Sequence, residues 1–421
     1  MIAPLDAADG WLAAVLMAAR PKAMAALLRY FRDLDTAEEA FQEACLRALD
    51  HWPARGPPRD PAAWLIMVGR NAGLDAVRRD RRLAPLPPEE QLSDLSDAEA
   101  ATIERLDAAD YRDDILRLLF VCCSPELPAV QQIALALRVV SGLSVAQIAR
   151  AFLISDAAME QRITRAKRRI ARAAAGFETP GPVERGQRLT PVAAMVYLLF
   201  NEGYTGGAAD RDARASLCGE AIRLARLLLG LYPAEPELMG LLALLLLQHS
   251  RSSARQAVDG SLVVLEEQDR SRWDGRLIAE GLALVDKAMR HRRPGPYQIQ
   301  AAIAALHARA HSAEQTDWGE IEQLYGALER FERSPVVALN RAVAVWKTRG
   351  AAEALTVLEP LADALSSYFY FHGARGAMLQ ALARPDEARA AYGRAIALAR
   401  TPAEADHIRQ RLDRLQTGSA G

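Results

Sequence analysis

His307 and His311, in the segment HARAH, stand four residues apart, the spacing at which two imidazoles on one helical face can clamp a metal ion. The glutamate that an HExxH motif places beside its first histidine is missing, and the whole chain has only seven histidines, so no metal ligands are assigned. Cys122 and Cys123 are adjacent in an apolar run and, with Cys45 and Cys218, are the only cysteines. They include no CxxC pair and no repeated spacing, which excludes a zinc cluster or disulfide framework and fits packing thiols in a reducing compartment. A redox pair at 122–123 is the alternative. NEGYTGG (201–207) has glycines without GxGxxG or P-loop spacing and reads as a turn. No nucleophile stands beside a recognisable base. No catalytic residue and no cofactor are expected.

The chemistry that the spacing does support is charge recognition. LSVAQIARAFLISDAAMEQRITRAKRRIAR (143–172) reads as two short helices with a tight break. Six Arg and Lys167 stand against Asp156 and Glu160 between 144 and 172, a net charge of +5. Ser144 followed by Gln147 forms a capping box. Val145, Ile148, Ala149 and Phe152 make the inward stripe of the first helix, and Met159, Ile163 and Ala166 that of the second. Ser155 or Asp156 caps the second helix. This leaves Asp156, Ala157, Glu160, Gln161, Thr164, Arg165 and Arg168 facing outward, as a recognition helix presents itself to the major groove, with its later cations on phosphates. Asp156 and Glu160 oppose phosphate binding, unless one accepts a hydrogen bond from a cytosine amino group. A solvated amphipathic pair is the plainer reading of the same charges.

These helices sit in a long and almost neutral chain. It has 421 residues and net charge −1, with 51% hydrophobic and only 6% aromatic residues. That length exceeds one ordinary core, and the balance suits helices rather than a sandwich or barrel. Any affinity for nucleic acid therefore comes from local clusters. The most apolar segment, LMGLLALLLL (238–247), is half the length needed to cross a bilayer, and the acids Asp6 and Asp9 before LAAVLMAA (12–19) are wrong for a secretory signal. The expected fold class is all-α. A helical block covers about 10–82 and ends in GRNAGLDAVRRDRR, with five arginines against two aspartates. Residues 83–114 are rich in proline and carry ten acids against Arg105 and Arg112, a net of −8, as a linker would. A second helical block spans 115–175, GFETPGPVERG (176–186) is a hinge, and the remainder is helical. Gly73 falls inside a helix, where it costs about 1 kcal/mol relative to alanine.

DLDTAEEAFQEACLRALDHW (33–52), the loop RGPPRDPAA and WLIMVGRNAGLDAVRRDRR together resemble the second conserved domain of bacterial sigma factors of the extracytoplasmic-function type. The stretch from 115 to 172 resembles their fourth domain. The long extension, with NEGYTGG and LEEQDRSRWD (265–274), is similar to the subgroup that carries a tetratricopeptide-like domain. The resemblance implies sigma region 2 at 1–82, an acidic linker at 83–114, sigma region 4 at 115–175 and a helical-repeat regulatory domain at 187–417. It implies core RNA polymerase, through its beta-prime clamp helices and beta flap, and promoter DNA as partners, in the cytoplasm and without a membrane. Asp35, Glu38, Glu39, Gln42 and Glu43 match the outward acidic helix that grips the clamp helices. Trp64, Arg70, Asn71, Asp75, Arg78 and Arg79 match the part that melts and reads the minus-ten element, for which cations and stacking pockets are suited. Trp64 fits the core equally well, and the loop 55–61 is the better base pocket. Ser155, Asp156, Ala157, Glu160, Gln161, Thr164, Arg165 and Arg168 would read the minus-thirty-five element.

The repeat is legible by itself. AAEAL (351–355) and DEARA (386–390) align with Glu353 and Glu387 separated by 34 residues, and LYGALERFERSP resembles AYGRAIALARTP about two periods apart. Paired helices of this period look like tetratricopeptide units, with a concave surface for a peptide or protein partner, although Ala383 stands where the consensus has glycine. A plain helical bundle is the alternative. The expected function is a sigma factor whose repeat domain adjusts it in the same chain. A free-standing helix-turn-helix regulator would have no use for the acidic motif at 35–43, and a scaffold without a DNA function would bind its partners independently of the Arg165–Arg172 cluster and of salt.

Overall fold

A computed structural model describes residues 6–80, 108–124, 126–152, 154–173, 182–204, 211–255, 263–399 and 402–418. Every regular element among them is helical. Most of the acidic stretch, the first part of the 176–186 hinge and residues 205–207 of NEGYTGG lie outside the described residues. The chain divides into two compact units, Met1–Gly203 and Tyr204–Gly421. Helix α8 (Pro182–Tyr204) runs through the expected domain start at 187 and through Asn201–Tyr204, which had read as the beginning of a turn.

The first unit begins with three helices, α1 (Asp6–Phe31), α2 (Leu34–Arg55) and α3 (Pro61–Asp80). Asp33 starts α2 by accepting the Thr36 N–H at 2.8 Å, a cap worth about 1 kcal/mol. Ala37, Ala40, Phe41, Ala44, Ala48 and Trp52 recur at helical spacing and are buried, packing α2 against its neighbours. The small residues let α3 come close. A Cβ on Gly69 would lie 2.9 Å from the Ala40 carbonyl oxygen, and one on Gly73 would lie 2.3 Å from the Phe31 ring. Gly73 is thus needed for packing at a position where its helix propensity is poor. Helix α4 (Ala108–Cys122) packs along α1, followed by α5 (Ala129–Val139), α6 (Val145–Ala151) and α7 (Asp156–Ala173).

The second unit holds α9 (Arg211–Leu231), α10 (Pro236–His249), α11 (Gly275–Met289), α12 (Pro296–Arg309), α13 (Trp318–Phe331), α14 (Pro335–Arg349), α15 (Ala351–Leu358), α16 (Phe369–Ala381), α17 (Pro385–Leu398) and α18 (Pro402–Gly418). Helix α10 is apolar on every side because it is enclosed by α9, α11 and α12. None of the described helices is long and apolar enough to cross a membrane. Glu237 in α10 caps α12, accepting the N–H groups of Tyr297 at 3.1 Å and Gln298 at 3.2 Å. In LEEQDRSRWD, Asp274 caps α11, and Arg270 donates to the carbonyls of His307 at 2.7 Å and Ala310 at 2.6 Å. That motif therefore ties three segments together.

Helices α14 and α16 start at residues 335 and 369, and α15 and α17 at 351 and 385, both 34 residues apart. The Tyr392 ring fills the gap between α16 and α17, so close to Gly376 that a Cβ there would sit 2.6 Å from the ring. Ala383 adopts φ 54°, the left-handed conformation that glycine takes without strain.

Candidate nucleic-acid interface

The two-helix element forms as its spacing requires. Ser144 and Gln147 satisfy each other's backbone, with the Ser144 N–H donating to Gln147 Oε1 at 2.8 Å and the Gln147 N–H to Ser144 Oγ at 3.2 Å. Ile148, Ala149, Met159, Ile163 and Ala166 are buried between α6 and α7. Ser155 is the residue that caps α7, its hydroxyl accepting the Ala158 N–H at 3.3 Å. That oxygen is spent on the helix. Asp156, Ala157, Glu160, Gln161, Arg165 and Arg168 are exposed and Thr164 is half-buried, on one open face of the helix. An α-helix of this kind can enter a major groove, with its polar N-terminal half towards base edges and Arg165 and Arg168 towards phosphates.

The opposite edge of α7 is already engaged. Lys167 Nζ lies 2.7 Å from Asp35 Oδ1 and 2.5 Å from Glu38 Oε2, both on α2. Burial alone would lower the Lys167 pKa, but the two carboxylates outweigh it and hold it above the ordinary lysine value. Glu38 was expected to face outward and is instead 4% exposed. Its burial is possible because cations surround it, with Arg20 Nη2 at 3.8 Å and Arg138 Nε at 3.9 Å on the other carboxylate oxygen. Arg20 also donates to the carbonyls of Val139 at 2.9 Å and Arg138 at 3.1 Å, and stacks over the Phe41 ring. Burial lowers the Arg20 pKa, against the pull of Glu38. Nearby, Arg29 reaches Asp114 at 3.1 Å, and Asp114 also pairs with Arg117 at 2.9 Å.

The rest of the acidic helix is open. Glu39 and Gln42 are exposed and Glu43 is half-buried, paired with Arg47 at 3.2 Å. Leu46 (58% exposed) and Leu49 (48%) continue the stripe of Asp35, Glu39 and Gln42 one and two turns further. Sequence reasoning missed both leucines. Their signal was available, since they fall off the inward series of Ala37, Phe41, Ala44 and Ala48.

On α3, Trp64 is half-buried and meets the buried Trp52 edge-on at 5.2 Å. Arg70 is exposed and lies over the Tyr30 ring at 4.9 Å, and Asn71 is half-buried. The side chains of Asp75, Arg78 and Arg79 lie outside the described residues. In the loop before α3, Gly56 takes φ 77° and Asp60 caps the helix, accepting the Ala62 N–H at 3.0 Å. The proline-rich segment between them is largely exposed.

Other chemistry recedes. Helix α12 ends at Arg309, so His311 leaves the face of His307 and the two-ligand clamp loses its geometry. Burial, reinforced by Arg251 and Arg270, lowers His307 to about 4. Cys45 is pushed up to about 11, chiefly by burial, and Cys122 and Cys123 also rise because they are buried. Such thiols stay protonated at neutral pH and are poor nucleophiles.

Comparison with known proteins covers the stretches that hold both charged helices. Residues 16–83 match the model of sigma-70 region 2, and residues 117–170 that of sigma-70 region 4. Residues 188–289 match a family of unknown function, DUF6596. An uncharacterized protein of Rhizobium meliloti (strain 1021) is 66% identical over 406 residues, 96% of each chain. No solved structure matches the chain.

Proposed function

Because the chain belongs to the sigma-70 family of RNA polymerase sigma factors, as an extracytoplasmic-function type with a C-terminal extension, we propose that its two charged helices divide the work between polymerase and promoter. The open stripe of α2, from Asp35 through Glu39 and Gln42 to Leu46 and Leu49, would seat the chain on the beta-prime clamp helices, with Glu43 at its edge. Carboxylates there suit a basic surface, and the two leucines supply apolar area to bury. Trp64, Arg70, Asn71, Asp75, Arg78 and Arg79 would engage the melted minus-ten strand. Asp156, Ala157, Glu160, Gln161, Thr164, Arg165 and Arg168 would read the minus-thirty-five element, with Ser155 holding the helix end that faces it. The beta flap is the remaining polymerase contact, made by region 4. The chain would work in the cytoplasm, where polymerase and promoters are.

Lys167 carries this reading. One helix presents a polar outer face that ends in Arg165 and Arg168, while its inner edge is clamped to the acidic helix that would dock on polymerase. The two promoter elements lie roughly 25 base pairs apart, about 85 Å at 3.4 Å per step. A helix held 2.7 Å from Asp35 cannot read the farther element while α3 reads the nearer. The free chain is then a closed form, and polymerase must compete with Lys167 for Asp35 and Glu38. The second unit would modulate that opening in cis, its helical pairs at 34-residue spacing offering a concave surface to a peptide or protein.

The test is transcription in vitro with core polymerase and a promoter library, comparing the full chain with Glu39→Lys/Glu43→Lys, two changes outside the core. We expect core-dependent transcripts that the charge reversal reduces at least tenfold. If neither protein starts transcripts and both bind DNA equally without core polymerase, the chain works as a free-standing regulator and this reading is wrong.

A further inference from the structure

The second unit contains a cavity of about 710 Å³ that the sigma function does not use. This is within the range of sites that enclose a small organic molecule. Helices α14, α16 and α18 and the segment 263–268 surround it. Trp318, Trp346, Tyr368, Phe369 and Tyr370 supply broad aromatic walls, and Tyr370 is 49% exposed where the cavity opens.

Its polar groups are unevenly matched. Among the lining carboxylates, Glu266 is paired with Lys347 at 2.8 Å and Glu404 accepts from the Tyr370 hydroxyl at 3.4 Å. The guanidinium groups of Arg251 and Arg255 are held differently. Arg251 donates to the Tyr204 hydroxyl at 2.7 Å, while Arg255 donates to the Tyr204 carbonyl at 2.6 Å and stacks over its ring at 3.7 Å. Among the described residues neither has a carboxylate within ion-pair distance. Two lining atoms are also buried without a hydrogen-bond partner, the donor Arg251 Nε and the acceptor Gln268 Oε1. Gln268 is only 9% exposed, and its amide nitrogen is committed to the Val263 carbonyl at 3.1 Å, which leaves its oxygen as the unmet acceptor. Unmet groups of this kind are costly inside a protein and are matched by whatever fills the site.

We propose that this cavity binds a small organic anion with a flat apolar body, its acid group on Arg251 and Arg255 and an N–H or O–H on Gln268. Aromatic walls take the body by stacking, and two guanidiniums without an ion-paired carboxylate among the described residues favour a carboxylate or phosphate. A neutral ligand of the same shape would bring neither cation a counter-charge. The inference rests on the second unit alone and stands whether or not that unit modulates transcription.

The probe is 1-anilinonaphthalene-8-sulfonate, a flat apolar anion with an N–H, titrated into the full chain beside its uncharged analogue N-phenyl-1-naphthylamine. Energy transfer from Trp318 and Trp346 would place the bound dye. We expect one anion per chain, bound at least tenfold more tightly than the neutral dye. Arg251→Met or Arg255→Met should weaken the anion at least tenfold and leave the neutral dye unchanged. If Arg251→Met lowers the melting temperature, Arg255→Met decides alone. Displacement by indole-3-acetate or by adenosine monophosphate would identify the acid as carboxylate or phosphate, and either supports the proposal. Equal binding of the two dyes, or an unchanged anion affinity in Arg255→Met, would overturn it.

Discussion

In the first unit, charged contacts join α7 and the end of α5 to α1 and α2, elements far apart in sequence. Lys167 holds Asp35 across 132 positions, Arg29 holds Asp114, and Arg20 grips the end of α5 through two carbonyls. In the second unit, neighbouring helices meet through apolar interiors, with Leu355, Leu358, Met378, Leu379, Ala388 and Tyr392 in one buried cluster, and ion pairs such as Arg349–Glu353 stay on the surface. Apolar packing is close-fitting and has no charge for salt to screen. Charged contacts that are partly wet can be weakened by salt or by a competing charge. The comparison teaches where salt or a competing charge can act, on the ties of α7 and α5 to α1 and α2 rather than on the apolar cluster of the second unit.

Changes that break the second unit should therefore have the largest effects. Tyr392 is fully buried, packs on Gly376 and donates its hydroxyl to Gln380 at 2.9 Å. Tyr392→Ala should cost about 3–5 kcal/mol, as truncation of a large buried aromatic does. Urea unfolding followed by peptide-level hydrogen exchange would show protection lost in α16 and α17 and kept in α1–α3. A loss below about 1 kcal/mol would mean that the helical pairs do not rely on this contact.

Acid should separate the units next. His307 is neutral in the fold, lowered to about 4 by burial and by Arg251 and Arg270, while the unfolded chain takes up the proton near 6.5. Its contribution is full above pH 6.5 and declines as pH falls towards 4, by about 3 kcal/mol in total. His249 and His407, also lowered by burial, act in the same direction. Melting of the second unit between pH 7 and 4.5 should be steeper in the native chain than in His307→Gln. Parallel curves would remove His307 from the account.

A smaller effect is expected at the charged contact itself. Lys167→Met removes a cation bonded to two carboxylates, for about 2 kcal/mol. Exchange should quicken in α7 and along the Asp35 edge of α2 while α16 and α17 are unaffected, and 1 M salt should give part of the same change. The Lys167 pKa is raised, so its contribution is fully present below about 10.5 and fades as pH climbs past that value. If the variant binds core polymerase no better than the native chain, Lys167 does not compete for the acidic helix.

The sequence made local regularity readable and left distant partners hidden. The inward residues of α6 and α7 and the capping box follow from spacing of three and four positions, which a helix fixes by itself. Glu38 shows the opposite case. Its acidity reads as solvent-facing until Arg20, Arg138 and Lys167 arrive from three other helices. Gly73 is similar, because its poor propensity is local whereas the Phe31 ring that requires it comes from α1. The outward face of α7 was legible for the same reason as its core, but no local pattern could tell that the adjoining edge was occupied. His311 failed at a helix end, where one residue of boundary decides which face a side chain joins.

Ala383 gives the finest discrimination between a repeat and a plain bundle. It ends α16 at φ 54°, with its own N–H on the Gln380 carbonyl at 3.1 Å and the Arg384 N–H on that of Leu379 at 3.0 Å. An alanine held there carries about 1 kcal/mol of strain that glycine would not. Glycine also gains entropy when unfolded, which offsets part of the benefit. Ala383→Gly should still stabilise the second unit by about 0.5 kcal/mol, without any effect on the first, and thermal melting would register it. A destabilised variant would show that the α16–α17 corner is set by packing rather than by the turn, and would favour the bundle over repeats built on a shared corner.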